Sequence, residues 1–304
     1  MRPILTTLLA LLTAMPIVGH AQARNTRASK AVLVTGASTG IGRKITERLA
    51  ADGYFVYAGA RKDADLKALG AINNVQAIRL DVTSAQDIAA AVEIITKAGR
   101  GLHGLVNNAG VATVGTVADM SAEEFDLVMA VNLYGPYRLT KAFAPMIVAA
   151  KGRIVTIGSI SGVLASRDLI AYSMSKHAME AFTDSLAQQM APLGVQVSVI
   201  EPGNYDSDIG KSATHRTGTE SRFTDRSQYK KPDEVAAAAE QALFESSPKR
   251  RYMVVPNQDE AQLTIQKQIE QLVQLNEGQP YTYDRAALVK MLDAALAQAR
   301  PRTK

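Results

Sequence analysis

The chain has 304 residues, 47% hydrophobic and 21% charged, which allows a buried core of ordinary size. It has no cysteine, which excludes disulfides, thiol catalysis and cysteine-ligated zinc, and His20, His103, His177 and His215 show no metal-ligand spacing. The net charge of +5 comes without a basic stripe interleaved with aromatics, so no nucleic-acid partner is expected; Lys249-Arg250-Arg251 reads as solvated surface, and the modest excess suits an anionic cofactor.

At the N-terminus, Arg2 precedes an apolar run from Ile4 to Val18, and Ala21-Gln22-Ala23 follows with small residues at both ends. This pattern predicts a signal peptide over residues 1–23, a mature chain beginning at Arg24, and an exported, periplasmic or secreted, protein. A start codon assigned upstream of the true one gives the opposite expectation, a cytoplasmic protein. The run is too short and too rich in threonine to predict a stable membrane span.

From Lys30 onward short apolar runs alternate with helical patterns. Strands are expected at Ala31–Thr35, Phe55–Ala60, Val75–Leu80, Gly104–Asn107, Arg153–Gly158, Gln196–Ile200 and Tyr252–Val255. Helices are expected at Ile41–Ala51, Ala85–Lys97, Ala122–Val131, Tyr137–Ala149, Tyr172–Ala191 and Asp233–Phe244. The alternation predicts one α/β domain over residues 24–304, a doubly wound parallel sheet (Rossmann fold) with helices on both faces. Asp206 to Lys231 is a long polar excursion, of the kind that is usually functional when it is ordered. Beyond about residue 256, Glu260–Leu275 and Arg285–Ala297 form a helical extension that could cover a substrate entrance or support assembly.

The first strand runs into Thr35-Gly36-Ala37-Ser38-Thr39-Gly40-Ile41-Gly42, which opens the first helix. Glycines there let the chain turn tightly and let backbone N–H groups approach a pyrophosphate, whose charge the helix N-terminus favours. The second strand ends at Ala60-Arg61. An acid at this place would bind the ribose 2′-hydroxyl of NAD; an arginine can grip the 2′-phosphate of NADP. NADP(H) is therefore favoured, with NAD(H) as the alternative. Asp81, followed by Val82, ends the third strand and could accept from the adenine amino group; a helix cap is the plainer role, although Ser84 could fill it. Asn108, Ala109 and Gly110 follow the fourth strand, where small and amide residues permit close packing against a cofactor.

Tyr172 and Lys176 lie one turn apart at the start of a helix and share a face. An ammonium beside a phenol favours the phenolate, which would let Tyr172 exchange a proton with a carbonyl oxygen near neutral pH. Ser159, at the end of the fifth strand, is placed to hydrogen-bond that oxygen.

Taken in order, the Thr35–Gly42 loop, Asn107-Asn108-Ala109-Gly110, Asn132, Ser159, Tyr172-x-x-x-Lys176 and Pro202-Gly203 resemble the single-domain branch of the short-chain dehydrogenase/reductase family, over about Lys30 to Val255. The resemblance implies interconversion of a ketone or aldehyde and an alcohol, with Asn132, Ser159, Tyr172 and Lys176 catalytic. It implies that Asn132 helps hold a relay water with Lys176, that Lys176 also binds the nicotinamide ribose, and that Pro202-Gly203 flanks the nicotinamide. Ser207 stands where the family often has threonine. The surroundings of Arg61 and Pro202 are similar to hydroxysteroid- and retinol-type members, implying a bulky apolar ketone or secondary alcohol. Assembly as a homodimer or homotetramer through the helices Tyr137–Ala149 and Tyr172–Ala191 is implied as well. A catalytically inactive dinucleotide-binding regulator or scaffold is the alternative, and an epimerase or dehydratase a further one.

Overall fold

The computed structural model describes residues 30–211, 213 and 226–299. The leader expected over 1–23 and much of the polar excursion lie outside the described residues. Seven parallel strands form one sheet in the order β3-β2-β1-β4-β5-β6-β7. They are β1 (Ala31–Val34), β2 (Phe55–Ala60), β3 (Val75–Arg79), β4 (Gly104–Asn107), β5 (Arg153–Ile157), β6 (Gln196–Pro202) and β7 (Arg251–Val254). All seven runs expected as strands form strands, within a residue or two at their ends.

The helices are α1 (Gly40–Ala51), α2 (Asp63–Gly70), α3 (Ala85–Ala98), α4 (Ala122–Met129), α5 (Gly135–Ala149), α6 (Ile170–Met190), α7 (Asp233–Phe244), α8 (Gln258–Asn276) and α9 (Arg285–Ala299). α2 was not expected, because its eight residues are too few to show a helical period and only Leu69 is buried. The boundary between α4 and α5 also departs from expectation. Ala130–Tyr134 forms a π-helical turn joining the two, so the helical backbone runs on there rather than breaking. A capping box of Ser121 and Glu124 fixes the start of α4.

Strand residues point alternately to the two faces, and each face has its own core. Leu33, Tyr57, Leu105 and Ile154 pack against Ile88 of α3, Leu139 and Phe143 of α5 and Leu186 of α6. Val32, Val34, Val56, Val106 and Val155 pack against Ile45 and Leu49 of α1 and Val235 and Leu243 of α7. Strands covered on both faces have no room for polar side chains, which is why they read as continuous apolar runs. The chain winds outward from β1 through β2 to β3, then crosses to β4 on the other side of β1. Crevices form at the carboxyl ends of the strands where the winding reverses.

Lys249, Arg250 and Arg251 are all exposed, as expected of solvated surface, and Arg251 also bridges Glu180 and Asp184 of α6 and lies 3.6 Å from Glu201 of β6.

Candidate active site

A cleft of about 580 Å³ opens at the carboxyl ends of the strands. Its first wall is the loop between β1 and α1. Thr35 Oγ1 accepts from the amides of Asn108 and Ala109, at 3.0 Å each, and Asn108 Nδ2 donates to the carbonyls of Thr35 at 2.8 Å and Gly36 at 3.1 Å. The loops after β1 and β4 are thereby locked together. Gly36 (φ +63°) and Gly40 (φ +55°) turn through the left-handed region, and a Cβ on Gly36 would lie 2.8 Å from Ala109 Cα. Thr39 stands at the N-cap of α1 but makes no side-chain cap bond. The first-turn amides of α1 therefore lack a side-chain partner at their N-cap and can meet an anion. Gly36, Ser38, Thr39, Gly40, Ile41 and Gly42 all line the cleft here, a cradle that fits a pyrophosphate.

Arg61 and Asp81 lie at the ends of β2 and β3. The Arg61 side chain is 62% exposed, with Nη1 3.6 Å from Asp81 Oδ2. Asp81 Oδ1 accepts from the amide and hydroxyl of Thr83, at 2.9 and 2.7 Å. Burial works to raise the Asp81 carboxyl, but the Thr83 hydrogen bonds and the Arg61 charge outweigh it and hold the group below its usual range. Asp81 does not cap α3; Ser84 does, accepting from Asp87 N. Val82, Asn108, Ala109 and Gly110 continue the lining toward β4.

The opposite wall holds the hydroxyls. β5 ends at Ile157, and Ser159 Oγ accepts from Ser161 N at 3.0 Å, which sets the short turn that follows. α6 begins at Ile170, one half-turn before the expected start, so Tyr172 is in its first turn. Lys176 is only 6% exposed. Its Nζ donates to the Ile157 carbonyl at 2.8 Å and lies 5.5 Å from the centre of the Tyr172 ring. Burial pushes Lys176 down to about 8, against the pull of Glu180 one turn below. Glu180 is itself pushed up to about 7, first by burial and then by Glu201, with Arg251 opposing.

The expected acidification of Tyr172 by Lys176 is not what the structure shows. Burial raises the phenol, and a hydrogen bond with Ser159 and the charge of Arg226 reverse only part of that rise. Asn132 lies deeper than the other expected catalytic residues. It stands in the π-helical turn behind the cleft, 2% exposed. Its Oδ1 accepts from Val111 N at 2.8 Å, and its Nδ2 donates to Val111 O at 2.9 Å and Ser175 Oγ at 3.0 Å. The side chain ties the loop after β4 to α6; it does not line the cleft.

Pro202, Gly203 and Ser207 close the cleft over this wall, and a Cβ on Gly40 would lie 3.1 Å from Ser207 Cβ. The structure thus brings every expected site residue except Asn132 to one cleft. It adds Asn204, Tyr205, Arg226 and Tyr229, and from α8 Glu260 and Leu263. α8 begins at the cleft mouth, where Glu260 Oε2 accepts from Asn204 N at 2.8 Å. Leu164, Leu169 and Val114 form an apolar end beyond Tyr172, held by the Gly115 amide donating to Asp168 O at 3.0 Å. Among the described residues no helix is long and apolar enough to cross a membrane.

Residues 30–218 match the family model described as short chain dehydrogenase. The chain is similar to the mitochondrial D-beta-hydroxybutyrate dehydrogenase of Bos taurus, 41% identical over 187 residues, which are 58% of this chain and 54% of the relative. It is 34% identical over 249 residues to the NADPH-dependent 3-dehydrocapnine reductase of Ornithobacterium rhinotracheale, covering 74% of this chain and 87% of that one. The chain spans about half the length of the hydroxybutyrate dehydrogenases it matches. Among solved structures, a short-chain dehydrogenase from Streptomyces avermitilis superposes with a TM-score of 0.71 at 29% identity, over 82% of this chain and 95% of that one.

Proposed function

The chain belongs to the short-chain dehydrogenase family, and on that premise we propose that it is an NADP(H)-dependent oxidoreductase interconverting a ketone or aldehyde and an alcohol. The observation that carries this reading is the meeting of Ser159, Tyr172 and Lys176 at one end of a cleft whose other end is the glycine loop. When bound, the nicotinamide supplies or takes up hydride at the substrate carbon. Gly36 to Gly42 would hold the pyrophosphate, Asp81 and Val82 the adenine, and Asn108, Ala109 and Gly110 the middle of the molecule. Lys176 would hold the ribose, with Pro202, Gly203 and Ser207 at the nicotinamide.

Ser159 donates to the substrate oxygen, and Tyr172 gives that oxygen its proton in reduction and takes it back in oxidation. Asn132 acts from behind, as a positioning residue that fixes the Val111 backbone against α6. Leu164, Leu169 and Leu263 support an apolar substrate body beside its ketone or secondary alcohol group.

The test is to mix the protein with NADPH or NADH and a broad panel of ketones and aldehydes, following cofactor absorbance beside product analysis. Loss of reduced cofactor matched by alcohol formation is the expected result. Cofactor binding with no turnover would instead favour an inactive regulator or scaffold, and a rearranged substrate with unchanged absorbance an epimerase.

The preference for NADP(H) rests on Arg61, a cation on the cleft lip with no acid at Ala60; the reductase relative carries NADPH in its name. Arg61→Ala is expected to weaken NADPH more than NADH. A charge-assisted contact at an exposed site supports a loss of preference of about tenfold. Equal losses for both cofactors would show that Arg61 does not read the phosphate and leave NAD(H) as the alternative.

We also propose export with cleavage before Arg24, and a homodimer or homotetramer through α5 and α6. Tyr134 of the π-helical turn and Tyr137 of α5, 53% and 51% exposed, offer contact surface. N-terminal sequencing of the natural protein and sedimentation of the purified one check both. A cytosolic full-length chain and a monomer are the respective contrary results.

A further inference from the structure

One cation of the cleft, whose charge reaches the Tyr172 phenol, neither gives nor takes the proton described above. Arg226 is 9% exposed, although it follows a polar stretch of chain. Its Nε donates to the Tyr205 carbonyl at 3.0 Å, its Nη2 donates to Asn204 Oδ1 at 3.1 Å, and its guanidinium lies 5.1 Å from the centre of the Tyr229 ring. These contacts fix the plane of the group without neutralising it.

Among the described residues, the other charged groups lining the cleft are engaged. Arg61 faces Asp81, Asp208 faces Lys211 at 3.4 Å, and Lys176 donates to Ile157 O. Glu260 accepts from Asn204 N at 2.8 Å and from Asn257 Nδ2 at 3.3 Å. Among the described residues no carboxylate forms an ion pair with Arg226. A guanidinium withdrawn from water and held rigid is unfavourable unless an anion completes it. Its anchors, Asn204 and Tyr205, directly follow Pro202-Gly203, so it belongs to the substrate end of the cleft and not to the end at Arg61.

We propose that Arg226 binds a carboxylate on the substrate, so that the enzyme prefers oxo and hydroxy acids to neutral ketones and alcohols. This rests on the oxidoreductase reading and names its substrate class. The rigid fork of the guanidinium matches a carboxylate, and the apolar end of the cleft takes the rest of the chain. In reduction the carbonyl carbon gains the hydride and its two electrons from the reduced nicotinamide, the oxygen gains the Tyr172 proton, and the carboxylate is unchanged.

The experiment compares 3-oxohexanoate, 4-oxohexanoate and 4-oxodecanoate with their methyl esters, using wild-type protein and Arg226→Met, with NADPH affinity measured alongside. For the wild type, kcat/KM is expected to favour at least one acid over its ester by about 10- to 100-fold, as loss of a charge-assisted bond implies. In Arg226→Met that ratio should fall to near unity. The wild-type comparison stands even if the variant does not fold. Equal rates for acids and esters overturn the inference, as does a loss of NADPH affinity in step with kcat/KM, which would assign Arg226 to the cofactor. Turnover of neither set also overturns it, while the oxidoreductase reading falls only if the broad neutral panel fails too.

Discussion

Tyr172→Phe is expected to lower turnover by a factor on the order of 10²–10⁴ while leaving NADPH affinity and the fold nearly intact. Only one hydroxyl is lost, and Ser159 keeps its bond from Ser161 N. The loss is large because negative charge grows on the carbonyl oxygen as hydride arrives at carbon, and that charge must be met by a proton within the same small space. Burial raises the phenol, so Tyr172 is a protonated donor across ordinary pH. Reduction should therefore proceed near neutrality and decline at high pH. Oxidation needs the phenolate and should rise with pH over the same range. Lys176, with its ammonium pushed down to about 8, loses its charge within that window, which should add a second inflection to cofactor affinity. Cofactor titration beside steady-state rates in both directions is the measurement. A Tyr172→Phe protein that reduces any substrate at near wild-type rate would sink the mechanism.

The central strands were legible because they are buried on two faces: β1 is 0–1% exposed along its length, and only continuous apolar residues satisfy that, whereas the edge strands β3 and β7 carry exposed Gln76, Arg79 and Arg251. The glycine loop was legible because two of its glycines take positive φ and a third has no room for a side chain, constraints that leave few alternatives in sequence. Tyr172 and Lys176 were legible from their helical spacing. Their electrostatics were not, because burial raises the phenol, against the Ser159 hydrogen bond and the charge of Arg226, and all three depend on how distant parts of the chain meet. Asn132 was found as a site residue, but the anchoring of its side chain behind the cleft was not. Nothing in the sequence shows that its amide is already committed to Val111 and Ser175. Arg226 itself gave no signal, because it lies in a polar stretch without period, and only the fold brings it to Tyr205 and Asn204.

Gly42→Ala is expected to weaken the cofactor by about a hundredfold and to lower stability by roughly 1–3 kcal/mol. A Cβ at this position would lie 2.3 Å from both the Gly36 carbonyl oxygen and Asn108 Nδ2. Neither neighbour can yield easily. Asn108 Nδ2 holds the Gly36 carbonyl at 3.1 Å and the Thr35 carbonyl at 2.8 Å, and the same residue's amide bonds to Thr35 Oγ1. The added methyl must therefore push α1 away from the loop, which moves the first-turn amides off the position where they meet the pyrophosphate. Gly70 is the control. It ends α2, and a Cβ there meets nothing within 4 Å. Gly70→Ala should leave cofactor affinity unchanged and, by relieving the entropy cost of a helical glycine, hold or slightly raise the melting temperature. Thermal unfolding and NADPH titration of the two variants make the comparison. If Gly42→Ala bound NADPH as tightly as Gly70→Ala, the loop between β1 and α1 would not be the phosphate cradle.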